Sequence, residues 1–382
     1  MSTVQALACT PRLVIAIIRI PTDFPAHGTW SGNYARSRSG GKKTSLMSKH
    51  APRMLPAPAP RHPHLRQPAD VTYSRRWQLF IMLAGLWGWQ QLRHRHWRHF
   101  TSALAATLGV AWYARYREPA TPVLRHIEIC DPRIPAAFDG FTIGQISDIH
   151  LGQPHSHANL HWARDCMRTM QPDLIVFTGD LVNERPAIGT LAYELTQFQA
   201  PMGCFAIAGN HDYVEEIDDV IQACALGGVP LLRNTGVALR RAGATLWLAG
   251  VDDIWHGAMR IDHALQGGER HPTILLAHAP DIVLQACAYS NVVLQLSGHV
   301  HGGHLHAPLL GPLARPRYGV HYTRGTHRVG TTWMHVSMGL SGRALRFGSP
   351  PEVALITLRH QAPTTQGTPA CNASTGASGA ST

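Results

Sequence analysis

The chain has 382 residues, 45% hydrophobic and 15% charged, enough for one large or two ordinary globular domains. Its formal charge of +11 is unevenly placed: residues 1–117 hold 17 Lys and Arg against two acids, Asp23 and Asp70, whereas the rest holds 17 bases against 21 acids. The globular part is therefore slightly acidic and no nucleic-acid partner is expected; a basic segment beside apolar stretches fits a membrane surface better.

Residues 1–72 are rich in Pro, Arg, Ser and Gly, with Pro56-Ala-Pro-Ala-Pro60, and are expected to be disordered. Two apolar stretches follow, Trp77 to Leu92 and His99 to Ala114. Each falls short of the ~20 residues that span a bilayer comfortably. The Arg93-His-Arg-His-Trp-Arg98 cluster between them argues against a packing helix of the soluble domain. Ser74-Arg75-Arg76-Trp77-Gln78-Leu79 is similar to a twin-arginine export signal, with Gln78 where an aromatic is usual. Residues 73–117 thus read as a membrane anchor or uncleaved signal. From Val123 short apolar runs alternate with helical stretches, which argues for an α/β architecture. Strands are predicted over Phe141–Ser147, Leu174–Thr178, Cys204–Ala208, Thr245–Val251, Thr273–Ala277, Val292–Leu296, Trp333–Ser337 and Val353–Leu358. Helices are predicted over Asn159–Met170, Thr190–Phe198, Glu215–Leu226 and Asp281–Ala288. Residues 118–360 form the expected catalytic domain, and 361–382, mostly Thr, Gly, Ala and Ser, a loose tail. The seven cysteines are scattered without a Cys-x-x-Cys spacing, which gives no sign of a disulfide framework and points to buried free thiols.

Five polar clusters each follow a predicted strand: Asp148-Ile-His150, Gly179-Asp180, Gly209-Asn210-His211-Asp212, His278, and Gly298-His299-Val-His301. In open α/β sheets, ligand sites gather beyond the carboxyl ends of strands, so these side chains are expected around one crevice. Carboxylate, amide oxygen and imidazole suit manganese, iron or zinc, and no cysteine falls in the clusters as a structural zinc site would prefer. Two nearby cations need an anion between them, and one carboxylate can bridge. Glycines beside Asp180, Asn210 and His299 let short side chains come close.

In that order the five motifs resemble the calcineurin-like metallophosphoesterase family, whose pattern runs D-x-H, G-D, G-N-H-D/E, H, G-H-x-H. The resemblance covers about residues 120–360. It is nearest a bacterial branch with an amino-terminal twin-arginine signal or anchor, sharing Ser147-Asp148-Ile-His150-Leu-Gly152, Gly179-Asp-Leu-Val182, Ala277-His-Ala-Pro280, Ser297-Gly-His-Val-His-Gly-Gly303, Pro351-Glu352-Val and Tyr116-Arg-Glu118-Pro119. It implies an α/β fold of two facing mixed β-sheets flanked by helices, with a dinuclear metal site at the strand ends. It implies that Asp148, His150 and His301 hold one divalent ion, that Asn210, His278 and His299 hold the other, and that Asp180 bridges. Manganese is the first expectation for both ions, with iron or zinc as alternatives.

The implied activity is hydrolysis of a phosphoester, foremost a phosphodiester, by a hydroxide that the two metals activate. His211 would stabilise the phosphoryl charge or protonate the leaving oxygen. Many relatives carry an acid where this chain has Asn183, and there it pairs with the catalytic histidine; Asp212 is a candidate helper in its place. His304 stands where Gln is usual and Ala279 where Asn is common. Asp252, Asp253, Trp255, Arg315, Arg317, Tyr318 and Arg324 are candidates to line the pocket. The substrate is expected to be a phosphoester, with a lipid-linked one suggested by residues 73–117, and the catalytic domain to lie on the periplasmic side of a bacterial inner membrane. The alternatives are a phosphomonoesterase, a pyrophosphohydrolase on a nucleotide-linked lipid precursor of the UDP-diacylglucosamine type, or a metal-binding module without catalysis.

Overall fold

The structure, a computed structural model, describes residues 71–94 and 96–360. The 361–382 tail and the segment expected to be disordered lie outside the described residues, except for Val71 and Thr72, which belong to a strand.

In chain order the strands are β1 (Val71–Tyr73), β2 (Val123–Asp131), β3 (Thr142–Ile146), β4 (Leu174–Thr178), β5 (Cys204–Ile207), β6 (Thr235–Arg241), β7 (Ala244–Gly250), β8 (Thr273–Leu276), β9 (Val292–Ser297), β10 (His306–Ala307), β11 (Gly311–Pro312), β12 (Ala314–Pro316), β13 (Gly325–Val329), β14 (Thr332–Val336) and β15 (Glu352–His360). The main helices are α1 (Arg75–Arg93), α2 (Trp97–Trp112), α3 (Ser156–Met170), α4 (Ile188–Leu195), α5 (Asn210–Val214) and α6 (Ile217–Leu226).

One sheet runs β2-β15-β3-β4-β5 and the other β13-β14-β9-β8-β7-β6. Both are mixed: β3, β4 and β5 are mutually parallel while β15 is antiparallel to β3, and β7, β8, β9 and β14 are parallel while β6 and β13 pair antiparallel at the edges. Strands buried on both faces read as continuous apolar runs, and β4, Leu-Ile-Val-Phe-Thr, is buried at every residue. Ile143, Val176 and Ile356 of the first sheet share a core with Leu248, Ile274 and Leu294 of the second, so the sheets face each other. The outer face of the first sheet is covered by α3, α4 and α6 through Leu160, Met167, Leu191, Leu195 and Val220. The outer face of the second is covered by the short segments around Ile261–Leu265 and Ile282–Ala286.

All eight predicted strands are present, with ends shifted by a residue or two. The helix expected over Asp281–Ala288 is instead a 3-10 turn, Pro280–Ile282, followed by one α turn, Val283–Ala286; the chain must turn back within a few residues to begin β9. Cys166, Cys204, Cys224 and Cys287 are free thiols, and Cys204 and Cys224 are buried.

The two apolar stretches form α1 and α2, and among the described residues neither helix has a buried one. No helix among the described residues is long and apolar enough to cross a membrane. The pair is tied to the rest of the fold at both ends. Before α1, β1 pairs antiparallel with β12, the Ser74 amide donates to Leu313 O (2.8 Å) and Trp77 Nε1 donates to Gly311 O (2.9 Å). After α2, Ala114 O accepts from the Arg346 amide (2.9 Å), and Glu118 accepts from the amides of Gly348 and Ser349.

Candidate metal centre

The five polar clusters follow β3, β4, β5, β8 and β9, all at carboxyl ends. Asp148, His150, Asp180, His278, His299 and His301 converge there and are buried. Asp148, His150, Asp180 and His301 offer ligand atoms that all lie within 4.8 Å of one another; so do Asp180, His278 and His299. Asp180 belongs to both groups. Holding such short side chains together distorts the backbone: Asp148, His150, Asp180, His299 and His301 all have φ between +47 and +73°. Left-handed backbone in non-glycine residues is costly and collects at functional sites. Two glycines make room. A Cβ at Gly209 would lie 2.2 Å from Asp180 Oδ1, and one at Gly298 would lie 1.9 Å from Ser147 Oγ and 2.2 Å from Asp148 Oδ2.

The hydrogen bonds outside the cluster decide what faces inward. His150 Nδ1 donates to Asn183 Oδ1 (3.1 Å), His278 Nδ1 to Thr178 O (2.7 Å), His299 Nε2 to Arg317 O (2.7 Å) and His301 Nδ1 to Ser341 O (3.1 Å). Those oxygens only accept, so the opposite nitrogen of each neutral ring presents a lone pair. His150 Nε2 and His301 Nε2 then face each other at 3.2 Å, with Asp148 Oδ1 3.4 Å from His301 Nε2 and Asp180 Oδ2 3.5 Å from His150 Nε2. Lone pairs and carboxylates at these distances repel unless a positive charge sits among them. Asn210 Oδ1 is buried with no hydrogen-bond partner among the described residues. The donor set thus fits divalent cations, and the buried cluster can bind metal.

For His150, His299 and His301 the electrostatics point the same way, whereas His278 without a metal is held protonated by Asp180. Burial pushes the His150 imidazole down to about 4. It pushes His299 down to about 3, helped by the charge on His278, and His301 well below its usual range. These rings stay neutral and available as ligands. Burial opposes charge on His278 too, but Asp180, with Nε2 to Oδ2 at 3.2 Å, outweighs it and raises the ring to about 10. Burial likewise opposes charge on Asp180, yet His278 and His150 hold that carboxyl well below the carboxylate range. Burial raises Asp148 to about 6.

The remaining predicted residues are placed as follows. His211 lines the cavity beside the cluster, its ring 4.7 Å from that of His150, and its amide donates to Asp180 Oδ1 (2.9 Å). Asn183 is bonded to His150 rather than to His211. Asp212 is fully buried beneath the site: its carboxylate accepts from the amides of Leu181 (2.8 Å), Val182 (3.1 Å) and Gly209 (2.8 Å), away from the cavity. Burial and the charge of Asp180 raise it to about 7. His304 stacks on His301 with centroids 4.6 Å apart, outside both groups that could hold metal. Of the loop candidates Trp255 lines the cavity, edge-on to His299, whereas Asp252 is bound by Tyr213 and Arg233.

Arg346 was not expected from its motif surroundings. It is buried, donates to Met338 O (2.9 Å), Ser349 O (3.0 Å) and Ser341 O, and brings Nη2 to 3.2 Å from His301 Nδ1. It fixes the loop whose Ser341 carbonyl orients His301. The only sequence signal is the second of two arginines, after Arg343, in a Gly- and Ser-containing stretch before Pro350 and Pro351.

Residues 141–303 match the family model described as calcineurin-like phosphoesterase. The chain is 36% identical over 270 residues to the "uncharacterized metallophosphoesterase YkuE" of Bacillus subtilis (strain 168), covering 68% of this chain and 93% of that protein. It is 31% identical over 263 residues to the "transmembrane protein with metallophosphoesterase domain" of Bos taurus, covering 62% of this chain and 57% of that one. It is 28% identical over 320 residues to the "UDP-2,3-diacylglucosamine pyrophosphatase LpxG" of Chlamydia trachomatis serovar D, covering 67% of this chain and 95% of that protein.

Proposed function

The chain belongs to the calcineurin-like metallophosphoesterase family, a phosphoester hydrolase, and on that premise we propose that it is a phosphodiesterase acting on lipid-linked substrates at a membrane surface. The observation that carries the catalytic part is the sharing of Asp180 between two groups of converging ligand atoms. Asp148, His150 and His301 would hold one cation and Asn210, His278 and His299 the other, with Asp180 shared by the two groups. Manganese, iron and zinc all suit this oxygen-and-imidazole set, and manganese is the ion we propose. When bound, the two cations supply positive charge for the phosphoryl oxygens and acidify a water so that hydroxide exists near neutral pH. His211, at the cavity wall, stabilises the phosphoryl charge or gives a proton to the leaving oxygen. Asn183 keeps His150 in the tautomer whose Nε2 faces inward, and Asp212 holds the Leu181–Val182 and Gly209 backbones that present Asp180 and Asn210.

Residues 73–117 serve as the membrane element and 118–360 as the catalytic domain. No acid occurs between residues 71 and 117, Arg75, Arg76, Arg93, Arg98, Arg115 and Arg117 flank the apolar surface, and 17 of the 23 exposed large apolar side chains among the described residues fall between Tyr73 and Tyr116. Such a surface suits an anionic bilayer, entered from one side rather than crossed. The similarity of residues 74–79 to an export signal favours the periplasmic side of a bacterial inner membrane. A second reading, pyrophosphate hydrolysis on a nucleotide-linked lipid, is favoured by the activity for which the Chlamydia relative is named.

The test is hydrolysis by the full chain loaded with manganese, iron or zinc of a diester, a monoester and a nucleotide pyrophosphate, each in soluble and lipid form. Preference for the lipid diester supports the first reading, and preference for the pyrophosphate supports the second. Equal turnover of soluble and lipid forms contradicts the membrane part, and no turnover with any metal contradicts both.

A further inference from the structure

The cavity over the cluster, about 300 Å³, has chemically different walls. Its lining includes His211, Asn183 and Trp255. Trp255 is backed by Arg317, whose guanidinium carbon lies 5.9 Å from the indole centroid. The apolar part of the lining includes Val71, Ala314 and Pro316. These three come from the two-stranded ribbon of β1 and β12, in which Val71 pairs with Pro316 and Tyr73 with Ala314.

That ribbon is also the base of the helical hairpin. The strand carrying Val71 runs through Ser74 straight into α1, and the Ser74 and Trp77 bonds to Leu313 O and Gly311 O pin the helix start to the residues preceding Ala314. The helix that exposes Leu79, Phe80 and Leu83 therefore leaves directly from the strand that supplies Val71 to the cavity lining. Leu309, 87% exposed, and Leu345 are further exposed apolar side chains beside the two places where the hairpin is tied down.

Building on the lipid-linked substrate proposed above, we infer that the β1–β12 ribbon is the hydrocarbon-side wall of the substrate site. It receives the first methylenes of a chain attached close to the phosphorus, while the polar substituent lies toward Trp255. The substrate class is thus a phosphoester with its hydrocarbon within a few bonds of the phosphate. The occupant is a membrane lipid chain, argued from the direct chain connection between this ribbon and an exposed apolar, acid-free hairpin.

The test is calorimetric binding of methyl, butyl, hexyl and octyl phosphate, below their micelle concentrations, to the manganese-loaded full chain. Binding strengthens with each methylene from butyl to octyl by about two- to fourfold, as expected for methylenes leaving water. Val71→Asp flattens this dependence and Val71→Ala reduces it partly, with metal content and circular dichroism checking that both variants fold. No dependence on chain length in the parent chain, or an equally steep one in folded Val71→Asp, overturns the inference. Binding is read without turnover, so a chain that hydrolyses no phosphoester yet shows the graded binding contradicts the proposed activity alone. A chain that hydrolyses lipid diesters but binds all four phosphates alike contradicts the ribbon alone.

Discussion

Four imidazoles of the cluster each give a hydrogen to an oxygen outside it: His150 to Asn183, His278 to Thr178, His299 to Arg317 and His301 to Ser341. Three of those oxygens are backbone carbonyls, so Asn183 is the orienting group a side-chain substitution can remove. Asn183→Ala should weaken manganese binding roughly 10- to 100-fold, the usual cost of losing such a partner, as read by competition with a metal-sensitive dye. Arg346→Met should weaken it as well, through the Ser341 loop. His211→Ala should leave metal content unchanged and lower kcat by roughly 10²- to 10⁴-fold. The aspartates and histidines were legible because they stand in short motifs after apolar runs. The partner of Asn183 was not, because positions 183 and 150 meet only when the loops after β3 and β4 run side by side, bridged at Leu151 and Val182. Arg346 was hidden for the same reason, since its partners are mostly carbonyls, which the sequence does not distinguish.

Among the elements, the central strands were readable because burial on both faces writes an unbroken apolar run, as in β4 and β9. The strands of the two large sheets that were missed were β2, β6 and β13, all at sheet edges. There one face meets solvent and residues such as Arg125, His126, Arg240 and Arg328 interrupt the pattern. The ribbon of β1 and β12 could not be read, since it joins three-residue strands 241 positions apart. Between β2, β14 and β15 a buried polar group ties three strands together: Glu352 accepts from Arg125 Nε (2.7 Å) and meets His335 Nε2 (3.0 Å). Burial opposes the charge on Glu352, but His335 and Arg125 outweigh it and hold the carboxyl below the ordinary glutamate range. A lowered carboxyl stabilises the fold fully above the unfolded value, about 4.3, and loses that contribution as pH falls through the folded value. Glu352→Gln should therefore be less stable at pH 7, by on the order of 2 kcal/mol, with the gap narrowing below about pH 4. Urea midpoints across pH would show it, and a gap that widens in acid would contradict it.

At the scale of the molecule, two sheets bring five strand ends to one edge, and the cluster gathers carboxylates and lone pairs that repel one another without positive charge. Cations that bind only the folded chain stabilise it by mass action, about 4 kcal/mol at a thousandfold excess over Kd. Manganese should accordingly raise the melting temperature of the chelator-treated protein, and Asp180→Asn should lose most of that rise because the carboxylate belongs to both groups. The most direct test of the central claim is a titration of the chelator-treated full chain with manganese while following hydrolysis of an activated phosphodiester. Turnover that appears with metal and saturates at two equivalents per chain is the predicted result. Turnover independent of added metal after complete removal, or none at any loading with manganese, iron or zinc, would contradict it.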